Sequence, residues 1–264
     1  MAFLQVNFYS EVLQMASSLN VILPERARGQ IGLEGKAKSG PHPTLYLLHG
    51  LSDDQTIWMR RTSIERYVSP LGLAVIMPNV HRSFYTDMVA GPDYWTYVSE
   101  EVPAVAREFF NLSDRRKDNY VAGLSMGGYG AFKMGLRNPE RWNAAVSLSG
   151  ALDVTRTLEG QWKQEMALVF GHMDQLTGSK NDLFHLMSEA ARKGIDLPRL
   201  WACCGTNDFL LDSNRQFMQR AKDLKIPVEY TETDGYYHEW GYWDKMIQPA
   251  LKWMLAGRAE AADA

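Results

Sequence analysis

Short apolar runs recur along the chain with almost no polar alternation inside them. They are Leu45-Tyr46-Leu47-Leu48, Leu73-Ala74-Val75-Ile76-Met77, Tyr120-Val121-Ala122, Ala144-Ala145-Val146-Ser147-Leu148, Leu200-Trp201-Ala202-Cys203-Cys204 and Val228-Glu229-Tyr230-Thr231. Such runs suit strands buried on both faces, as in a parallel sheet. Between them, mixed apolar and polar stretches predict helices over Asp54 to Val68, Tyr94 to Phe110, Met126 to Arg137, Ser213 to Leu224 and Trp240 to Leu255. Strand–helix alternation predicts an α/β fold with an open, mostly parallel central sheet and helices on both faces. The opening segments Leu4 to Tyr9 and Ser18 to Leu23 predict two antiparallel strands at a sheet edge. A single domain over residues 1–264 accommodates all of this.

Three segments break the rhythm. Arg26 to Pro43 is rich in Gly, Lys and Pro and reads as a long exposed loop. Residues 155–197 carry Trp162, Met166, Phe170, Met173, Phe184 and Met187 among polar residues, without a convincing strand. This reads as a helical excursion over the carboxyl edge of the sheet, where it either lines a pocket or packs as ordinary helices. The small, polar tail 256–264 is expected to fray.

Composition narrows the functional classes. With 45% apolar and 22% charged residues, the chain is an ordinary globular protein. A formal net charge of −3 gives no electrostatic reason to expect nucleic acid or an anionic membrane as partner. The N-terminus lacks a basic stretch followed by an apolar one, so no signal peptide is read, and no run approaches the roughly 18 apolar residues that span a bilayer. Cys203 and Cys204 are the only cysteines; as neighbours in an apolar run they make a poor disulfide framework and a poor zinc site. Together these features point to the cytoplasm and to no metal.

The chemistry enters at Gly123-Leu124-Ser125-Met126-Gly127. This G-x-S-x-G sequence follows an apolar run and opens a helix-like stretch, the strand–turn–helix context of a nucleophile elbow. A serine hydroxyl is a weak nucleophile until a base takes its proton and a third group orients that base. In this context the chain order is Ser, then Asp or Glu, then His. After Ser125 only His172, His185 and His238 remain. His238 lies in a loop between the last strand and the last helix, whereas His172 and His185 lie in the excursion. The acid is expected just after the preceding strand, which selects Asp208; Asp212 reads as the N-cap of the next helix, and Asp234 lies too near the base in sequence.

The oxyanion hole is expected from the backbone N–H of Met126, after the nucleophile, and of Leu51, in the early loop His49-Gly50-Leu51-Ser52. His49 is expected to prop that loop. Trp58, Tyr85, Tyr94, Trp95 and Phe209 are candidates for an aromatic substrate pocket, although aromatic residues also fill cores.

These motifs resemble a known family. His49-Gly50-Leu51-Ser52, the run Gly123 to Gly130, Leu148-Ser149-Gly150, Cys204-Gly205-Thr206-Asn207-Asp208-Phe209 and His238-Glu239-Trp240 stand in the order of the esterase D-like group. Phe8-Tyr9-Ser10-Glu11-Val12-Leu13 and Phe84-Tyr85-Thr86-Asp87 are most similar to bacterial tributyrin esterases. The resemblance implies an α/β-hydrolase fold, no cofactor, a small-molecule ester substrate of short acyl chain, and a homo-oligomer. It also implies Ser125 as nucleophile, Asp208 as acid, His238 as base and the Leu51 and Met126 amides as oxyanion hole. Two alternatives keep the same machinery: an S-formylglutathione hydrolase-like thioesterase and a carbohydrate acetylesterase. Pro78-Asn79-Val80-His81-Arg82-Ser83 lacks the Ser-Pro-Arg-Gly-like run associated with the thioesterases. A catalytically silent binding module is the alternative of another class.

Overall fold

A computed structural model describes residues 1–260 apart from Arg28, Gln30, Leu33, Glu34 and Lys38. One sheet organises the chain: β1 (Ala2–Ser10), β2 (Met15–Leu23), β3 (Thr44–Leu48), β4 (Ala74–Pro78), β5 (Asn119–Leu124), β6 (Ala144–Leu148), β7 (Arg199–Gly205) and β8 (Val228–Thr233). Their order is β1-β2-β4-β3-β5-β6-β7-β8. Strands β3 to β8 run parallel, and β2 lies antiparallel to both β1 and β4. Every residue of β3, β4, β5 and β6 is buried, which is why those segments are apolar throughout. At the outer edge, β8 leaves Glu229 and Thr231 exposed.

The helices are α1 (Ile57–Arg61), α2 (Ile64–Val68), α3 (Tyr94–Thr96), α4 (Val102–Phe109), α5 (Met126–Arg137), α6 (Lys163–Phe170), α7 (Met173–Leu176), α8 (Leu183–Lys193), α9 (Leu211–Asp223) and α10 (Trp240–Glu260). They bury an apolar core on each face of the sheet. One core gathers Tyr46, Val121, Phe132 and Phe217 beneath α4, α5, α8 and α9. The other gathers Trp58, Ile64, Tyr120 and Ile247 beneath α1, α2 and α10. No helix among the described residues is long and apolar enough to cross a membrane.

Local chemistry explains where the helices depart from the sequence pattern. The expected helix over residues 54–68 is broken because Thr62 turns extended, at φ −135° and ψ 172°. Its hydroxyl donates to the Trp58 carbonyl at 2.6 Å and accepts from the Ile64 N–H at 3.1 Å, in competition with the helical ladder. The stretch over residues 94–110 contains a π-helical turn, Tyr97–Glu101. Pro103 has no N–H for the Ser99 carbonyl, and Arg141 supplies one at 2.6 Å instead. Asp212 is not the N-cap of α9: Leu210 holds that position and Asp212 lies in the first turn. The last helix continues to Glu260, so residues 256–260 of the expected frayed tail are helical, and residues 261–264 lie outside the described part.

The excursion divides in two. Its first half, α6, closes over the carboxyl edge of the sheet, whereas α8 is an ordinary packing helix, with Phe184 against Phe217 of α9 at 5.4 Å between ring centroids. The strand order reverses between β3 and β5, because the chain moves outward from β3 to β4 and then in the opposite direction from β5 to β8. A parallel sheet opens a crevice beyond the carboxyl ends at such a point.

Candidate active site

Ser125 joins β5 to α5 at that crevice. Its backbone, at φ 51° and ψ −117°, is a strained conformation for a residue with a side chain, costing about 1–3 kcal/mol. Its neighbours hold it there. The Ser125 N–H donates to the Leu148 carbonyl at 2.9 Å, and its own carbonyl accepts from Tyr129 and Ala151, each at 3.1 Å. The two glycines of the motif make the turn possible. A Cβ on Gly123 would sit 2.3 Å from the Gly127 carbonyl oxygen, and one on Gly127 would sit 2.5 Å from that of Leu48. Both obstacles are backbone, so neither can move aside.

His238 reaches Ser125 from the loop between β8 and α10. Its Nε2 lies 3.0 Å from Ser125 Oγ, and its Nδ1 lies 2.9 Å and 3.1 Å from the two carboxylate oxygens of Asp208. Asp208 is buried just beyond β7 and also accepts the Leu210 N–H at 2.9 Å. With the carboxylate holding a proton on Nδ1, the Nε2 lone pair faces the serine hydroxyl, the arrangement in which a hydroxyl proton can be removed. The rival residues are occupied elsewhere. Asp234 accepts the Thr206 hydroxyl at 3.0 Å, His172 caps α7, and His185 lies in the first turn of α8.

Two aromatic rings box the imidazole. Trp243 meets it edge-on at 4.8 Å, and Phe209, 77% exposed, lies 4.6 Å away. Trp243 was not among the expected residues; its only sequence signal is its place in the first turns of the helix that follows the base. Asn214 was missed as well. It is fully buried in α9, and its Nδ2 donates to the Gly150 carbonyl at 2.8 Å and the Leu210 carbonyl at 2.9 Å, tying the Asp208 loop to the segment behind Ser125.

Met126 is the first residue of α5, so its N–H has no acceptor within the helix and is free for an incoming oxygen. Leu51 lies three residues beyond β3, and the start of α5 lies against the segment just after that strand: a Cβ on Gly127 would come within 2.7 Å of the His49 carbonyl oxygen. His49 props the loop, as expected. It is 1% exposed, its Nδ1 lies 2.7 Å from the Gly50 carbonyl oxygen, and its Nε2 accepts the Val80 N–H at 3.1 Å. Burial pushes its pKa from 6.5 down to about 4.

That shift has a definite sign for stability. Between pH 6.5 and 4 the unfolded chain takes up a proton at His49 that the folded chain refuses, so stability falls with pH across this window and is retained above it. The loss amounts to about 3 kcal/mol at full effect. Thermal midpoints from pH 7 to 4 are expected to fall less steeply in His49→Asn than in the parent; equal slopes would refute the assignment.

Two of the expected pocket aromatics are corrected. Trp58 is 1% exposed and donates its Nε1–H to the Leu48 carbonyl at 3.0 Å. Tyr85 is fully buried and donates its hydroxyl to the His49 carbonyl at 2.9 Å. Both side chains satisfy carbonyls at or just beyond the end of β3 and act as struts beneath the loop that carries Leu51. Trp95 is buried too, with the Arg137 guanidinium 3.9 Å above its ring, and it lines a different cleft between α5 and α8. Tyr94 does line a cleft.

That cleft holds about 580 Å³ and opens beside Leu51 and Asp53, away from Ser125 itself. Its walls are His81 and Arg82 after β4, Tyr94, and Leu168 with Glu165 on α6. Arg82 makes a two-pronged ion pair with Glu165, Nη2 to Oε2 at 2.7 Å, and lies 4.6 Å over the Trp162 ring. Behind this wall, the fully buried Lys133 donates to the Tyr85 carbonyl and the Thr86 hydroxyl, both at 2.8 Å. Burial holds its pKa well below that of an exposed lysine. It braces a segment in which Phe84 and Tyr85 take φ values of 49° and 51°.

Comparison with known proteins points to the same class of chemistry. A family model described as putative esterase matches residues 10–254. An acetyl esterase of Caldicellulosiruptor saccharolyticus is 30% identical, covering 96% of this chain and 98% of that protein. The substrate-bound structure of FphF, a fluorophosphonate-binding serine hydrolase of Staphylococcus aureus, superposes with a TM-score of 0.87 at 35% identity, over 96% of this chain and 98% of that one. The S-formylglutathione hydrolase FrmB of the same organism superposes at 0.85 with 35% identity and the same coverage.

Proposed function

The chain belongs to the putative esterase family, and from that premise we propose that it cleaves short-acyl carboxylic esters, acetyl to butyryl, through an acyl intermediate on Ser125. It is a serine hydrolase acting on carboxylic ester bonds. The observation that carries the proposal is the unbroken contact from Asp208 through His238 to Ser125 Oγ.

In the first step Ser125 Oγ attacks the ester carbonyl while His238 Nε2 takes the serine proton. The tetrahedral oxyanion accepts hydrogen bonds from the Met126 and Leu51 N–H groups, each contributing about 3 kcal/mol to the transition state. His238 then gives its proton to the leaving alkoxide, and the alcohol departs, leaving an acyl-Ser125 ester. Water, activated by the same nitrogen, attacks the acyl carbonyl; the carboxylic acid leaves and the proton returns to Oγ. Asp208 keeps Nδ1 protonated throughout and stabilises the imidazolium.

The similarity to S-formylglutathione hydrolase FrmB favours one second reading, a thioester substrate for the same steps. A p-nitrophenyl ester series from acetate to palmitate, run beside S-formylglutathione, separates the two. The expected result is a maximum at acetyl to butyryl and a fall of at least about tenfold, or 1.4 kcal/mol, by octanoyl. A thioester turned over about tenfold faster than any oxygen ester would transfer the assignment to the second reading. We also propose a cytoplasmic homo-oligomer that uses no cofactor, and light scattering of the purified protein reads out its assembly.

A further inference from the structure

At the end of the sheet opposite Ser125, between α4 and the amino ends of β3, β5 and β6, lies a separate cavity of about 230 Å³ that opens to solvent beside the exposed Arg107 and Asp114. Asn119 begins β5 and Ser125 follows its last residue, so about 20 Å of strand separates the two sites. The lining includes Tyr46, Arg107, Asp114, Asn119, Arg141 and Trp142.

Three of these side chains are buried and carry a polar atom without a hydrogen bond to any described residue: Tyr46 Oη, Asn119 Oδ1 and Trp142 Nε1. Their residues are 1%, 4% and 3% exposed. A buried polar atom left unpaired costs about 1–3 kcal/mol, and native proteins leave few. Three around one small cavity mark a place that something polar fills.

The chemistry of the lining narrows that ligand. Trp142 Nε1 only donates, and the Tyr46 hydroxyl can donate too. Asn119 cannot present its amide nitrogen instead, because Nδ2 already donates to the Ser113 carbonyl at 2.9 Å and the Arg115 carbonyl at 2.8 Å. Of the two guanidinium groups, that of Arg141 is engaged with the Ser99 carbonyl and Glu100. Arg107 forms no ion pair with a described residue, and its charge acts on the Tyr46 hydroxyl. One unengaged cation and two neutral donors suit a monoanion, while the Asp114 carboxylate opposes a dianion such as phosphate. Asn119 Oδ1 and Asp114 in turn require a donor on the ligand.

We propose that this cavity is a binding site for a small carboxylate that bears its own hydroxyl or ammonium group. The carboxylate lies against Arg107, Tyr46 and Trp142, and the ligand's O–H or N–H faces Asn119 and Asp114. The site is separate from the ester-cleaving centre and stands whether or not that centre acts as described above.

The test follows the indole N–H of Trp142 in a ¹⁵N-labelled sample, assigned among the eight tryptophans by its disappearance in Trp142→Phe. Lactate and free alanine are titrated separately, with acetate, phosphate and sodium chloride as comparators. A saturable shift with half-saturation near 1 mM is expected, weakened about tenfold or more in Arg107→Gln. Saturation by lactate alone assigns the hydroxyl form, and by alanine alone the ammonium form. Esterase activity of Arg107→Gln reports that the variant is folded. Absence of a shift with both ligands, the same shift with sodium chloride or phosphate, or an unchanged titration in Arg107→Gln would each overturn the proposal and leave a cavity filled only by water.

Discussion

Ser125→Ala is expected to lower kcat for a short-acyl ester about a millionfold while the protein stays folded. The elbow is held by backbone contacts, the Ser125 N–H on the Leu148 carbonyl and its carbonyl under the Tyr129 and Ala151 amides, and alanine keeps all of them. What disappears is the hydroxyl oxygen 3.0 Å from His238 Nε2. The residual rate is expected from the proposed oxyanion hole, the Met126 and Leu51 amides, acting on an ester attacked by water. Because nucleophile and base act as one unit, His238→Ala is expected to cost about as much, and the double variant little more. The measurements are kcat on p-nitrophenyl acetate, thermal midpoint, and covalent labelling by an organophosphate. A folded Ser125→Ala protein that kept its rate or its labelling would place the nucleophile elsewhere.

Asp208→Asn carries the second largest expected effect, a loss in kcat on the order of ten thousandfold, by analogy with the same change in other serine hydrolases. Its direction follows from one hydrogen bond. Oδ1 of residue 208 accepts the Leu210 N–H, so an asparagine keeps its amide oxygen there and turns its NH₂ toward His238. That group can only donate, so the imidazole must present a lone pair at Nδ1 and carry its proton on Nε2, facing Ser125. The tautomer is then wrong for removing the serine proton, although no atom has been lost. KM is expected to change little, since the variant alters a transition-state interaction and no substrate contact. A kcat within about tenfold of the parent would remove Asp208 from the orienting role.

Some features were legible in the residues because their causes are local. A strand buried on both faces has to be apolar at successive positions, so β3 to β7 announce themselves. The elbow leaves no room for a Cβ on Gly123 or Gly127, so its glycines stand at fixed distances from the serine. The acid and base follow strand ends, which orders Ser125, Asp208 and His238 along the chain. Helix boundaries were less legible, because single hydrogen bonds decide them, such as that of the Thr62 hydroxyl or of the Ser99 carbonyl freed by Pro103.

The aromatic residues show the limit most clearly. Trp58, Tyr85 and Phe209 look alike as candidates in a sequence, yet two are buried struts under the loop after β3 and one lies exposed against His238. Nothing within a few residues of each distinguishes them. The Arg82–Glu165 pair and the cavity shared by Tyr46, Arg107, Asn119 and Trp142 likewise join residues far apart in the chain. By itself, then, the sequence determined the fold class, the elbow and the order of nucleophile, acid and base, because backbone sterics and strand burial act over a few residues. The tertiary structure alone decided which side chains wall the cleft, which stand beneath it and where a second cavity lies. Those roles depend on burial, and a side chain is buried by what packs against it from other parts of the chain.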